Sequence, residues 1–211
     1  MGCKYDRKMG TMITYIADAI KRNKYEVFIA DPSKKLSKRT DLKDYNFIHG
    51  KFLSDILNEH EFKFLTREDC ELTSRMSVIN YFSANKNYDC IIHLAACVGG
   101  LFMNMNNGIK MFSDNIKINE NILEVSHRYG IKRGIFCLSS CIYPQYPYEF
   151  PMNEKQIHFG PPHPSNEGYA YAKRMLELQC RQYNKAYNTE YICVVPVNLY
   201  GEYDNFSLED G

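Results

Sequence analysis

Two residues four apart, Tyr169 and Lys173, stand in the stretch EGYAYAKRMLELQ that runs from Glu167 to Gln179. A phenol can hand over a proton, and a nearby ammonium can tune that phenol by favouring its ionised form. A free tyrosine has a pKa of about 10, too high for ready exchange near neutrality, so the pairing is chemically useful to a general acid. Ala170, Ala172, Arg174, Met175, Leu176, Glu177 and Leu178 are good helix formers, and Ala172, Met175, Leu176 and Cys180 recur at helical spacing. Tyr169 and Lys173 then lie one turn apart on one helix face, with side chains able to meet. Ser139 is the natural companion, at the end of the apolar run GIFCLSS (134–140). Two hydroxyls donating to one carbonyl oxygen would stabilise an alkoxide formed as hydride arrives. Each signal has a plainer reading. With 17 tyrosines in the chain, Y-x-x-x-K arises by chance, and serines at strand ends often cap turns.

The elements that must position these residues alternate. EFKFLT (61–66) reads as a strand, followed by a helix capped by Thr73 or Ser74 and carrying Val78, Ile79 and Phe82. NYDCIIHLAA (87–96) reads as a strand buried on both faces. A helix through Ile118, Ile122 and Val125 closes at Gly130. The 134–140 strand, the Tyr169 helix and a strand in EYICVVPVNLYG (190–201) complete the series. Such alternation predicts an α/β fold, a Rossmann-like doubly wound parallel sheet with helices on both faces. Ligands of such sheets bind beyond the carboxyl ends of the strands. His93-Leu94-Ala95-Ala96, Ser139-Ser140-Cys141 and Pro196-Val197-Asn198-Leu199 all fall at or beyond strand ends, and the Tyr169 helix enters the same rim.

Composition narrows the class. The 211 residues suit one domain, and 45% hydrophobic with 24% charged residues is ordinary for a globular protein. A net charge of +1 gives no overall signal for nucleic acid or acidic lipid, although residues 1–40 hold ten Lys or Arg against four Asp or Glu. No apolar run reaches the ~18 residues of a membrane span. The opening MGCKYDRKMGTMITYIADAI matches neither a secretion signal nor an anchor, and Asp6 stands where a myristoylation signal needs Ser or Thr. Eight cysteines lie at 3, 70, 90, 97, 137, 141, 180 and 193 with no C-x-x-C, which disfavours zinc and disulfide-exchange sites. The expectation is a cytoplasmic protein with buried thiols, binding neither membrane nor nucleic acid.

The motifs HLAACVGGLFMN, CLSSCIYP, HFGPPHPSNEGYAYAKRM, VPVNLYGEYDNF and EDG, in that order, resemble the GDP-L-fucose synthase family within the extended short-chain dehydrogenase/reductase superfamily. The resemblance is close over 86–211, moderate over 61–85 and faint before residue 60. It implies an NADPH-dependent 3,5-epimerase and 4-reductase acting on GDP-4-keto-6-deoxymannose, and a homodimer built on a bundle that includes the Tyr169 helix. By resemblance, Tyr169 protonates the 4-keto oxygen, Lys173 tunes Tyr169 and holds the nicotinamide ribose, and Ser139 binds the same oxygen. Cys141 matches the base for epimerisation; a ketone acidifies the flanking C–H bonds, and a thiolate can take that proton. Read on spacing alone, Cys141 is a small buried hydrophobe. Arg67 matches a contact to the 2′-phosphate of NADP(H), for which a guanidinium fork is suited. Leu94, Ala95, Ala96, Leu138, Ser139, Ser140, Pro196, Val197, Asn198 and Leu199 match stretches lining the cofactor.

Two departures stand out. The family's first strand leads into a Gly-x-x-Gly-x-x-Gly turn that receives the pyrophosphate, but only Gly2, Gly10 and Gly50 precede residue 99. Either the helix 11–22 leads into a strand EVFIAD (26–31), or YNFIHGKFLSDILNEH (45–60) supplies strand, Gly50 turn and helix. The second keeps the family order and is preferred, which makes 1–44 an atypical basic segment and 45–211 the NADP-binding domain. The family also continues past Asp-Gly into a catalytic histidine and a substrate domain, and none of the histidines at 49, 60, 93, 127, 158 and 163 takes that place. His93 reads as structural. The expectation is a truncated chain with the C-terminal substrate domain missing. Two other readings remain: a different nucleotide-sugar epimerase or dehydratase, in which Cys141 has no role, and a non-catalytic remnant or binding module.

Overall fold

A computed structural model describes residues 27–30 and 62–196 of the chain. Five strands form one parallel sheet: β1 (Val27–Ala30), β2 (Phe62–Leu65), β3 (Cys90–His93), β4 (Arg133–Cys137) and β5 (Glu190–Val194), in the order β2-β1-β3-β4-β5. This is a Rossmann-like sheet. The chain passes from β1 to β2 in one direction and from β2 across to β3 in the other. The ends of β1 and β3, where Ala30 pairs with His93, therefore form the topological switch point at which such sheets take ligands.

The first strand corrects the sequence reading. The strand between β2 and β3 is Val27–Ala30, from the EVFIAD segment, and not one drawn from 45–60, a stretch that lies outside the described residues. Hydrophobic patterning in both segments suited a strand, and family order broke the tie the wrong way. The later strands are shorter than their apolar runs: 90–93 within 87–96, and 190–194 within 190–201.

The helices follow from local chemistry. Ser74 caps α1 (Arg75–Ala84), its hydroxyl accepting from the Ser77 N–H. A short helix soon after β3, α2 (Leu101–Asn106), has no counterpart among the elements read from the sequence. In α3 (Gly108–Arg128), Met111, Ile118, Ile122 and Val125 form the buried stripe, and Gly130 follows at φ +76°, where a side chain would be strained. In α4 (Glu167–Tyr187), Ala170, Ala172, Leu176 and Cys180 are buried, and Asn188 ends the helix in the left-handed region. The crossovers through α1, α3 and α4 all run in the same direction, so the right-handed rule puts these helices on one face of the sheet. There α1 packs on α3, and α3 on α4.

The core lies between that layer and the sheet. Val78, Phe82, Ile91, Ile122, Phe136 and Leu176 are sealed from solvent. Each such side chain contributes roughly 1.5–3 kcal/mol by leaving water. All four residues of β3 are buried, as a central parallel strand requires, while β4 alternates. The functional candidates thus hang from the best-packed strands.

Candidate active site

Three structures meet beyond β3 and β4: the loop 94–100, the turn that follows β4, and the first half of α4. The turn is built by Ser139, whose extended backbone (φ −157°, ψ 151°) ends the strand run and caps a 3₁₀ turn over Ser140–Ile142. Its Oγ accepts from the Cys141 N–H at 3.4 Å. The turn-capping role that sequence offered as the plain reading of Ser139 is therefore real. It leaves the hydroxyl proton free to donate elsewhere.

Lys173 is buried, at 1% exposure, and its Nζ donates to the Cys137 carbonyl at 2.7 Å. An ammonium out of water is costly unless it is paired. Burial accordingly lowers its pKa, offset in part by the thiols of Cys137, Cys141 and Cys193. Nζ sits 5.8 Å from the centre of the Tyr169 ring. The predicted neighbours thus do meet, on one helix face.

The predicted direction of tuning does not hold. Tyr169 is pushed well above the ordinary phenol range by burial first, and then by Cys141 and Cys137. The phenol is therefore firmly protonated near neutral pH, the state an acid needs. Cys141 is half-buried, and burial raises its pKa also, against the opposing pull of the Ser139 hydroxyl, Lys173 and Arg174. It is a thiol, not a thiolate, at neutral pH.

The loop after β3 is held by α3. Asn115 is sealed from solvent; its Oδ1 accepts from the Cys97 N–H at 2.9 Å and its Nδ2 donates to the Cys97 carbonyl at 2.8 Å. Leu94, Ala95 and Ala96 lie within this loop, with Ala95 fully buried. His93 is structural, as expected. It is buried, its Nε2 pairs with Asn119 Oδ1 at 3.0 Å, and burial lowers its pKa to about 3. Sequence reasoning passed over Asn115 and Asn119. Polar residues four apart on the apolar side of a helix were the available signal.

The remaining predicted residues divide. Leu138 is buried, and its N–H donates to the Val194 carbonyl, joining the turn to β5. Ser140 begins the 3₁₀ turn, and Pro196 follows β5. Val197, Asn198 and Leu199 lie outside the described residues. Arg67 stands apart, in the turn after β2, with its side chain 61% exposed and 3.9 Å from Glu71. It lies at the carboxyl end of a strand next to β1, so it shares the rim but not the buried cluster. Among the described residues no group of His, Cys, Asp or Glu could hold a metal ion.

A parallel sheet of this order, with a Tyr-x-x-x-Lys helix and a strand-end serine on its rim, defines a class of nucleotide-cofactor enzyme. The chain belongs to the NAD dependent epimerase/dehydratase family, whose model matches residues 10–211. It is 47% identical over 148 residues to the GDP-L-fucose synthase of Dictyostelium discoideum, covering 70% of this chain and 46% of the relative. It is 39% identical over 165 residues to the probable GDP-L-fucose synthase of Drosophila melanogaster, covering 76% of this chain and 51% of the relative. The chain thus spans about half the length of these curated relatives. Among solved structures it resembles a GDP-L-fucose synthetase from Naegleria fowleri bound to NADP, with 37% identity and a TM-score of 0.67, covering 88% of this chain and 58% of that one.

Proposed function

We propose that this chain carries the reductase residues and the proton-abstracting cysteine of a GDP-L-fucose synthase, whose reaction is the NADPH-dependent epimerisation and 4-keto reduction of GDP-4-keto-6-deoxymannose. The observation that carries the reading is the convergence of Tyr169, Lys173, Ser139 and Cys141 around the turn after β4, at the rim where the fold takes ligands. Relatives named GDP-L-fucose synthase support the substrate, and the NADP-bound neighbour supports the cofactor.

The donor set suits NADP(H). Among the described residues the one hydrogen-bond acceptor of Lys173 is the Cys137 carbonyl, which leaves two N–H donors for ribose hydroxyls. The Arg67 guanidinium, only loosely paired, suits a 2′-phosphate. When bound, the cofactor supplies the hydride. The chain's residues do the rest. Ser139 Oγ donates to the 4-keto oxygen and orients it. Tyr169, kept protonated by burial, delivers the proton that oxygen needs as it becomes a hydroxyl. Lys173 holds the Cys137 carbonyl and thereby fixes the turn that carries Ser139. Cys141 removes a proton from a carbon flanking the ketone, and it must first lose its own proton against the effect of burial. Leu94–Ala96, Leu138–Ser140 and Pro196–Leu199 line the cofactor.

We also place the protein in the cytoplasm and expect a homodimer. The seven cysteines of the described residues are free thiols, in keeping with a reducing compartment. Large apolar side chains at Leu101, Phe102, Ile109 and Phe112 are exposed, as at faces that meet partners. Among the described residues no helix is long and apolar enough to cross a membrane.

The test is NADPH consumption by the purified chain with GDP-4-keto-6-deoxymannose, alongside solvent-deuterium uptake at the carbons flanking the ketone. Consumption and uptake are both expected, with uptake lost in Cys141→Ser. Uptake unchanged in that variant would favour a different nucleotide-sugar epimerase or dehydratase. Saturable NADPH binding without consumption would leave a binding module, and no binding would overturn the reading.

A further inference from the structure

Arg174 is the residue after Lys173, and it is almost as deeply buried, at 3% exposure. Its Nε donates to the Ile142 carbonyl at 2.7 Å. Its guanidinium carbon lies 5.4 Å from the centre of the Tyr171 ring, and its Nη2 is buried without a hydrogen-bond partner among the described residues. No carboxylate neutralises it within the described residues. A buried guanidinium with one donor unmatched costs several kcal/mol, and an apolar side chain of similar volume would pack there more cheaply. Its cost calls for a role that charge and a forked donor can fill and a hydrocarbon cannot.

The two cations of α4 bracket the turn. Lys173 holds the carbonyl of Cys137, two residues before Ser139, and Arg174 holds the carbonyl of Ile142, the residue after Cys141. The span that presents Ser139 and Cys141 is thus fastened to one helix at both ends. Within the turn the contacts are long: Cys141 N–H to Ser139 Oγ at 3.4 Å, Ile142 N–H to the Ser139 carbonyl at 3.2 Å, and Tyr143 N–H to the Ser140 carbonyl at 3.3 Å.

We propose that Arg174 is a positioning residue for Cys141: its guanidinium fixes the far end of the Ser139–Ile142 turn and places a permanent positive charge beside the Cys141 thiol. This deepens the proposed function and rests on it for the assignment of Cys141 as the proton-abstracting group. The charged and titratable groups facing Cys141 are Lys173, Arg174 and Tyr169 from α4, with the Ser139 hydroxyl in the turn itself. Of these, the Ser139 hydroxyl opposes the effect of burial most, followed by Lys173 and then Arg174. In the proposed function Lys173 is also called on by the cofactor, whereas Arg174 is not.

The experiment measures two quantities on the purified 211-residue chain, neither requiring turnover. One is the pH profile of Cys141 alkylation by iodoacetamide, read peptide by peptide so that the other cysteines serve as internal references. The other is amide hydrogen exchange across 139–143. In Arg174→Gln the charge is gone; the alkylation midpoint of Cys141 moves up and its rate near pH 8 falls roughly threefold or more. In Arg174→Lys the charge remains but the Nε contact does not; the midpoint stays near that of the parent chain, while exchange across the turn quickens about tenfold, the effect of losing one charge-assisted hydrogen bond. A Cys141 profile unmoved in Arg174→Gln, or a turn equally protected in Arg174→Lys, overturns the proposal. Should Arg174→Gln not fold, the Arg174→Lys exchange decides alone. Because both readouts are independent of substrate, a chain that fails to turn over but shows both shifts refutes the activity and keeps the positioning role. A chain that turns over and shows neither does the reverse.

Discussion

The turn after β4 and the turn after β2 stand on the same rim of one sheet, yet they are built on opposite principles. The first is fastened by buried cations to its own carbonyls: Lys173 to Cys137 and Arg174 to Ile142, each at 2.7 Å. The second carries Arg67 into solvent, with Glu71 at 3.9 Å as a loose partner. An exposed pair of this kind is worth little, from about zero to 1 kcal/mol. The difference separates two tasks. Bond-making at a ketone needs donors held in place before substrate arrives, because the barrier depends on their position. Holding a phosphate needs only a cation that can swing to meet it. Preorganisation is invested where protons move, and the surface supplies the rest.

That contrast can be broken or sharpened by substitution. The largest effect is expected for Tyr169→Phe, which removes one oxygen from the fastened turn's partner helix. Turnover of the keto-sugar should fall about 10³-fold, or about 4 kcal/mol, with NADPH affinity unchanged. A rate that survives would move the proton donor elsewhere. Next comes an acid limb of stability set by His93, behind the fastened turn. His93 holds a proton in the folded chain only near pH about 3, against 6.5 when free. Its stabilising contribution is therefore complete above pH 6.5 and declines as pH falls. Ordinary carboxylates titrate below about pH 5, and the loss expected from His93 on going from above neutrality to pH 5 is about 2 kcal/mol. Denaturant titrations across that span should show it, and a flat profile would mean that His93 is protonated in place.

Smaller again is Lys173→Met. The Cys137 carbonyl loses its donor while a buried charge is relieved, and the two changes roughly offset in stability. NADPH affinity should drop ten- to thirtyfold, measured by isothermal titration. Collapse of the fold instead would make Lys173 a structural cation only. The smallest effect is expected at the open turn. Arg67→Ala should weaken NADPH about five- to tenfold, leave NADH untouched and leave the melting temperature of the free chain unchanged. Equal losses for both cofactors would remove Arg67 from the 2′-phosphate.

The alternation of strands and helices was legible because each buried run carried its own period: Cys90–His93 uniformly apolar but for its last residue, and Met111, Ile118, Ile122 and Val125 on one helical stripe. Tyr169, Lys173, Ser139 and Cys141 were legible as a set because spacing and motif brought them to one rim. Three things were not. The first strand could not be chosen between 26–31 and 45–60, since both are short apolar runs and pairing across a parallel sheet leaves no local trace. The sign of the Tyr169 shift was missed because desolvation is a property of the packed neighbourhood and not of the pair. Arg174 looked like an ordinary helix former beside Lys173. Its burial follows from the path of the turn at Ile142, some thirty residues away.

The most direct test of the central claim, that α4 and the turn after β4 form a ready-made nicotinamide cofactor site, is the melting temperature of this chain with and without NADPH, in parallel with Lys173→Met. At a hundredfold excess over the dissociation constant, binding adds roughly 2.7 kcal/mol, or about 5–10 °C for a chain of this size. That full rise is expected in the parent chain, and about a third to a half of it in Lys173→Met at the same NADPH concentration, as a ten- to thirtyfold weaker affinity requires. A parent chain whose melting curve is unmoved by millimolar NADPH, or a rise in Lys173→Met as large as the parent's, would contradict that site.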